Sequence, residues 1–181
     1  MDMKLHAVCI GSYLSHEPKV CDCFISLVLA ENITQAQIKG RRMCEERYSY
    51  LKGWDEVGGV DVATLEQGMQ IERYVLNYSM TKDVIEPNDK NVNTATPSIY
   101  TTGVASHYWW GQDEYSECLL SFTVATDVLE AEKFGEKTKN KLFALADGKW
   151  ADSYAVTALR LEDVTQVENY HIQWSVQKME N

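Results

Sequence analysis

The stretch CDCFISLVLAENITQAQIKG (Cys21–Gly40) decides the predicted fold, because a long apolar run leads straight into a helix start. Cys21–Ala30 is almost entirely apolar, which is typical of a central strand that is buried on both faces. Asn32 can cap a helix with its side-chain oxygen, and Gln35 stands three residues later, as in a capping box. We therefore expect a buried strand followed directly by a helix from Ile33 to Leu51.

The same pattern returns 95 residues further on as SECLLSFTVATDVLEAEKFG, residues 116–135. At this offset seven identities occur without a gap: Tyr13 with Tyr108, Cys23 with Cys118, Ser26 with Ser121, Ala30 with Ala125, Ala36 with Ala131, Gly40 with Gly135, and Gly53 with Gly148. At offset 96, ERYVLNYSM (Glu72–Met80) lies over ENYHIQWSV (Glu168–Val176). Two ordered blocks with one polar-apolar pattern predict an internal duplication.

Each predicted unit consists of strand, strand, helix, strand and strand. Together they give an α+β fold with antiparallel sheets, each covered by one helix. We expect the first unit over residues 1–80 and the second over residues 98–181. Residues 81–97 hold two of the three prolines, so we expect a linker there. The sheets can pack face to face, join edge to edge or exchange strands, and the sequence does not choose among these. The predicted strands are 5–12, 21–30, 60–65, 70–79, 118–125, 154–161 and 170–176, and the second helix is 128–145.

Both predicted helices contain a glycine in mid-helix, Gly40 and Gly135. A glycine there costs about 0.5–1 kcal/mol relative to alanine, so it indicates a close backbone approach. We expect the neighbour to be the sheet, with a ligand as the alternative. Gly53 is the predicted end of the first helix. The predicted buried face of the second helix holds Val128, Ala131, Gly135, Thr138, Leu142 and Leu145.

The charge of the chain narrows the classes of partner. The chain has 17 Lys and Arg against 27 Asp and Glu, which gives 17 − 27 = −10. Such a chain repels phosphate backbones, so we expect a basic protein partner and no direct binding to nucleic acid or to an anionic membrane. No apolar run is long enough to span a bilayer and no signal peptide is recognisable, which favours a cytoplasmic protein. The oligomeric state stays open.

No motif in the sequence names a reaction. The chain lacks nucleophile-elbow, metalloprotease, Walker and dinucleotide-binding motifs, and no histidine has an identifiable orienting partner. Cys21 and Cys23 form a C-x-C pair without a second such pair, so we expect core cysteines rather than a metal site. We therefore expect a protein that is not an enzyme and that holds neither cofactor nor metal.

The first hairpin of the second unit differs most from its counterpart. It reads YWWGQDEYSE at residues 108–117, where the first unit reads YLSHEPKVCD. Tryptophan and tyrosine are enriched at binding hot spots, and carboxylates beside them suit a basic target. The predicted partner-binding residues are Tyr108, Trp109, Trp110, Asp113, Glu114, Tyr115 and Glu117. The alternative is that both tryptophans fill the core, although adjacent residues of a regular strand point to opposite faces.

In length, acidic charge, missing catalytic motifs and the aromatic-acidic hairpin, the chain resembles small phage anti-defence proteins of the anti-CRISPR type. The resemblance covers this overall profile and no diagnostic motif. It implies an inhibitor that binds a basic nucleic-acid channel, such as that of a Cas9-type nuclease with its guide RNA, and blocks DNA binding or cleavage. Two alternatives stay open: an immunity-type or other protein-binding module, and an enzyme or small-ligand binder that uses the cleft between the units.

Overall fold

The protein is described here from a computed structural model that covers residues 3–14, 17–49, 53, 59–82, 97–110, 113–143 and 154–180. At 17–20, 107–110, 113–116 and 140–143 only the backbone is described. These residues form ten strands and two α-helices, in the order β1 (Lys4–Leu14), β2 (Glu17–Ala30), α1 (Ile33–Tyr48), β3 (Val60–Thr64), β4 (Met69–Ile71), β5 (Tyr74–Thr81), β6 (Ser98–Trp110), β7 (Asp113–Ala125), α2 (Val128–Phe143), β8 (Tyr154–Arg160), β9 (Gln166–Val167) and β10 (Tyr170–Lys178).

The described strands form three antiparallel sheets, in the orders β2–β1–β3, β7–β6–β8 and β4–β5–β10–β9. The predicted α+β class is therefore confirmed. The order strand, strand, helix, strand, short strand, strand occurs once in each half of the chain. This repeated order fits the duplication, which itself stays a prediction.

The first two sheets pack face to face, with one helix on the outer face of each. In β1 the alternation is plain, because Leu5 and Ala7 lie in the central core while Val8 and Ile10 pack with residues of α1. Gly11 in β1 and Gly103 in β6 let the two sheets approach closely. A Cβ on Gly11 would lie 2.3 Å from the Cβ of Ala105, which leaves no room for a larger side chain.

The third sheet closes one end of this sandwich and joins the two halves. Its strands β5 and β10 come from different halves and pair from Tyr74 with Lys178 to Thr81 with His171. Leu76 and Ile172 from this sheet are buried in the central core. Of the three arrangements left open by the sequence, the structure thus combines face-to-face packing with a sheet shared by both halves.

The last predicted strand does not complete the sheet of its own half in either unit. In the first half, the predicted strand 70–79 is in addition two strands, β4 and β5. The break is a turn in which Glu72 has a φ of 54°, and Glu168 has the same φ in the equivalent turn between β9 and β10. Glycine and asparagine are the usual signs of a turn residue with positive φ, and glutamate is not one of them. The sequence pattern therefore did not predict this turn.

Both predicted helix caps are confirmed. The side chain of Asn32 accepts a hydrogen bond from the backbone N–H of Gln35 at 3.0 Å, and Asp127 accepts one from Glu130 at 2.8 Å. The expected contact of the mid-helix glycines with the sheet is confirmed as well. A Cβ on Gly40 would lie 2.6 Å from Val8 Cγ1.

Three predicted details of the helices and hairpins are wrong. Helix α1 ends at Tyr48 with Ser49 as its C-cap, so Gly53 is not its end, although Gly53 does have a positive φ of 91°. Val128 is 44% exposed and does not belong to the buried face of α2. The match of Tyr13 with Tyr108 is off by one residue in the strand pairing. Tyr13 pairs with Cys21, whereas Ser116, which lies 95 residues after Cys21, pairs with His107.

Candidate functional site

The predicted binding residues lie on the β6–β7 hairpin, which among the described residues extends beyond strand β8 of its sheet. Strand β8 pairs with β6 as far as Ser106, and from His107 to Trp110 the partner of β6 in the described part of the chain is β7. The backbone register places Trp109 opposite Glu114 and brings the predicted residues together along two neighbouring strands. The other register pairs are Tyr108 with Tyr115 and Trp110 with Asp113.

Of the predicted binding residues, Glu117 is described with its side chain, and that side chain is exposed. The side chains of the other six lie outside the described part: Tyr108, Trp109, Trp110, Asp113, Glu114 and Tyr115. Whether the two tryptophans are anchors or core residues therefore stays a prediction.

The base of this hairpin is held by the first half of the chain. The backbone N–H of Leu120 in β7 donates a hydrogen bond to Asp61 Oδ2 at 2.7 Å, and Cys118 Sγ donates to the carbonyl of Gly59 at 3.0 Å. A Cβ on Gly59 would lie 2.9 Å from the carbonyl carbon of Glu117, so β7 runs directly against this glycine. The rigid base fixes the direction in which the hairpin leaves the sandwich.

Sequence reasoning missed these anchoring residues. The glycine pair before β3 was a usable signal for Gly59, because a glycine at a strand marks a close backbone approach. No local signal marks Asp61, since its partner Leu120 lies in the other half of the chain.

A surface depression lies beside the hairpin base, in the described part of the chain. Gly11, Ser12, Cys21, Gly59 and Glu117 contribute to its wall, and its volume of about 150 Å³ includes open solvent. The depression encloses no space of the kind that holds a small organic ligand.

The described cysteines belong mostly to the core. Cys9, Cys23 and Cys44 are buried, and none of the five cysteines forms a disulfide. A hydrogen bond with Cys118 and burial raise the pKa of Cys9, and a hydrogen bond with Cys9 and burial raise the pKa of Cys23. Nucleophilic cysteines need a lowered pKa, so these two thiols are unsuited to catalysis.

His6 is a structural histidine. It is buried, its Nε2 lies 3.3 Å from the carbonyl oxygen of Ala30 and its Nδ1 lies 3.1 Å from Thr64 Oγ1. Burial lowers the pKa of His6, so the neutral ring is favoured there. His171 lies in β10, while His16 and the side chain of His107 fall outside the described residues.

Among the described residues, no group of three His, Cys, Asp or Glu side chains is placed to hold a metal ion. Within the same residues, neither helix is long and apolar enough to cross a membrane.

Comparison with known proteins adds little to this description. No protein-family model matches the chain, and no curated protein sequence matches it. The crystal structure of protein Il1583 from Idiomarina loihiensis is similar at a TM-score of 0.35 and 11% identity, over 99% of this chain and 90% of that chain. At this TM-score the likeness carries no argument about function.

Proposed function

We propose that the protein is a non-catalytic inhibitor that binds a basic protein surface through the β6–β7 hairpin. The target class we propose is a bacterial defence nuclease, such as a Cas9-type effector with its guide RNA, whose DNA binding or cleavage is blocked. The protein then acts in the cytoplasm of the cell that contains the nuclease.

The observation that carries this proposal is the extension of the hairpin beyond strand β8. From His107 onward the two strands are paired with each other and with no third strand of the described chain. A two-stranded extension reaches a partner more easily than a strand within a sheet. Its sequence combines four aromatic residues with carboxylates at Asp113, Glu114 and Glu117.

Charge supports the choice of a basic target. At −10, the chain is attracted by a channel that is lined with lysine and arginine to hold nucleic acid. Carboxylates on the hairpin can occupy the places of phosphates there, while tryptophan and tyrosine side chains supply contact area.

The test is a DNA-cleavage assay with a guide-loaded Cas9-type nuclease at low and high salt, combined with co-elution. We expect inhibition that weakens as salt rises, because the attraction is between opposite charges. Replacing Asp113, Glu114 and Glu117 by Asn, Gln and Gln removes three negative charges and should abolish most of the inhibition.

The matched control neutralises three acidic residues of another surface, Glu31, Glu45 and Glu46, by glutamine. The net charge changes equally, so inhibition by this control must stay close to that of the unchanged protein. If the control loses as much inhibition as the hairpin variant, total charge acts rather than the hairpin. Absence of both inhibition and co-elution contradicts the nuclease target and leaves an immunity-type module as the next hypothesis.

A further inference from the structure

The third sheet has an outer face whose composition differs from that of the rest of the surface. On β5 and β10, alternate residues point away from the core, because Leu76 and Ile172 between them are buried in it. The outward residues of the two strands carry amides and hydroxyls: Asn77, Ser79, Thr81, Gln173, Ser175 and Gln177. Asn77 Oδ1 already accepts a hydrogen bond from the backbone N–H of Gly68, and the hydroxyl of Thr81 is buried. We call this surface the outer face of the third sheet.

The outer face lacks fixed charge within the described residues. Val75 and His171 complete the outward positions of the two long strands, and Gln70 and Gln166 continue the face on the short strands β4 and β9. At the 24% share of charged residues in the chain, ten positions would hold about two Asp, Glu, Lys or Arg. Depletion of charge is typical of the centre of protein interfaces.

Carboxylates at the ends of the sheet turn away from this face. Glu72 accepts hydrogen bonds from Thr123 and Val124 of β7, and Glu168 pairs with Lys39 of α1. Lys178 lies opposite Tyr74, on the inner side of the sheet.

The face is also approximately symmetric. Tyr78 pairs directly with Trp174, its equivalent at offset 96, so a pseudo-twofold axis passes between these two residues. The amides of Gln70 and Gln166 repeat this symmetry, since each donates a hydrogen bond at 3.2 Å to the carbonyl of the glutamate two residues later.

We propose that the outer face of the third sheet is a homodimer interface, on which two copies of the chain stack face to face about a twofold axis. Asparagine, glutamine and serine side chains both donate and accept hydrogen bonds, so a face made of them is complementary to itself. Elsewhere two copies with a charge of −10 each repel one another. A basic partner would in turn gain little from a neutral face.

The size of the face sets the expected strength. Eight paired residues of β5 and β10 are about 26 Å long, and these two strands are about 10 Å wide. The strands β4 and β9, of three and two residues, add about 80 Å². The area is therefore about 330 Å² per copy and about 660 Å² in total, which is below the size of a stable specific interface and in the range of a transient contact. We expect a weak dimer with a dissociation constant of about 100 μM or above.

Salt gives this dimer a signature that separates it from the proposed inhibitory contact. Screening weakens the repulsion between two acidic copies, so dimerisation should strengthen as salt rises. Binding to a basic nuclease should weaken under the same change. The dimer does not depend on the proposed function, and each can fail without the other.

The test is sedimentation velocity of the full chain over about a hundredfold range of concentration, at low and high salt. Ser175→Arg places a positive charge near the middle of the outer face of each copy, and Ser175 is exposed, so folding should be unaffected. Thr34→Arg, on the exposed face of α1, is the matched control with the same change of charge.

We expect reversible dimerisation of the unchanged chain and of Thr34→Arg, and at least a tenfold higher dissociation constant for Ser175→Arg. Thermal melts of both variants confirm that they fold. A chain that stays monomeric at every concentration and both salts overturns the proposal. Equal dissociation constants of the two arginine variants also overturn it, because the contact then lies on another surface.

Discussion

The two helices pack on their sheets alike at the mid-helix glycine but differently one turn later. Gly40 and Gly135 both approach the sheet. One turn later, α1 buries Cys44 among apolar residues, whereas α2 places Lys139 at the equivalent position, where it is 8% exposed. The ammonium of Lys139 lies 3.0 Å from the ring centre of Tyr154. The same helix position thus accommodates an apolar core in one half and a cation–aromatic contact in the other.

The largest expected effect lies in the apolar layer under α1. Tyr48 is 1% exposed, packs beside Phe24 and donates a hydrogen bond to Asp22 Oδ2 at 2.9 Å. Tyr48→Ala should lower the free energy of unfolding by about 3–5 kcal/mol, because it leaves a cavity. Urea unfolding measures this loss. Tyr48→Phe is the control and should cost about 1 kcal/mol, since it removes the hydroxyl alone. Equal losses for the two variants would contradict this account of the layer.

The two mid-helix glycines offer a direct comparison between the halves. A Cβ on Gly40 would lie 2.6 Å from Val8 Cγ1 and 2.9 Å from Val60 Cγ1, whereas one on Gly135 would lie 3.0 Å from Val156 Cγ1 at the nearest. Gly40→Ala should therefore cost about 1–3 kcal/mol from overpacking. In Gly135→Ala the gain in helix propensity, about 0.5–1 kcal/mol, should offset most of the strain.

The glycine comparison is checked by urea unfolding of both variants under one set of conditions. A larger loss for Gly135→Ala than for Gly40→Ala would show that the second helix is held more tightly than the first, against the packing described here.

The helix starts form a second matched pair. Asn32→Ala and Asp127→Ala should each cost about 1 kcal/mol, because each removes the side-chain oxygen that accepts a backbone N–H. Thermal melts at neutral pH measure both losses. A serine at either position should restore most of the stability, and failure of serine to do so would mean that the cap bond is not the cause.

Acid should separate the two helix starts. The backbone N–H and hydroxyl of Thr126 donate hydrogen bonds to Glu130 and hold the pKa of its carboxyl below the ordinary value, whereas Gln35 at the equivalent position does not titrate. The contribution of Glu130 to stability is therefore present above its ordinary pKa and is lost as pH falls through its folded pKa.

The pH effect is checked by melting the unchanged chain and Glu130→Gln from neutral to acidic pH. The difference in melting temperature should shrink as pH falls, because protonated Glu130 no longer accepts the hydrogen bonds of Thr126 as an anion. A difference that stays constant with pH would assign the effect of Glu130→Gln to something other than its charge.

The smallest expected effect is the coupling between Lys139 and Tyr154. A double-mutant cycle with Lys139→Met and Tyr154→Leu should give a coupling energy of about 0.5–1 kcal/mol, as cation–aromatic pairs near a surface do. A coupling energy of zero would mean that Lys139 is tolerated for its aliphatic stem alone.

Features that depend on neighbours in sequence were predictable. Both caps and the contact of Gly40 with the sheet follow from residue types at fixed spacing. The apolar run Cys21–Ala30 was predicted as a central strand, which is wrong, because β2 lies at the edge of its sheet beside β1. Its apolar residues are covered instead by the facing sheet and by α1. The turn at Glu72 was not predictable, because a glutamate with a φ of 54° is stabilised by distant contacts. Its Oε1 accepts hydrogen bonds from Thr123 Oγ1 and the backbone N–H of Val124, in the other half of the chain.

The same distinction applies to the candidate site. The hairpin and its composition are local, so the sequence located them. The contact of Gly59 and Asp61 with β7 joins segments about 60 residues apart, and no pattern in one sequence specifies such a pair. The sequence did not predict the neutral outer face either, because this face forms only when β5 and β10, which are far apart in the chain, pair with each other.

The pairing of β5 with β10 has a consequence during protein synthesis. The ribosome completes β5 long before β10, whose first paired residue, His171, lies 90 residues after Thr81. Until then, among the described strands, β5 can pair with the three-residue strand β4, and its other edge has no strand beside it. Contacts between such distant segments form slowly. The nascent chain should therefore keep one edge of β5 open to pairing with other chains until β10 has emerged from the ribosome.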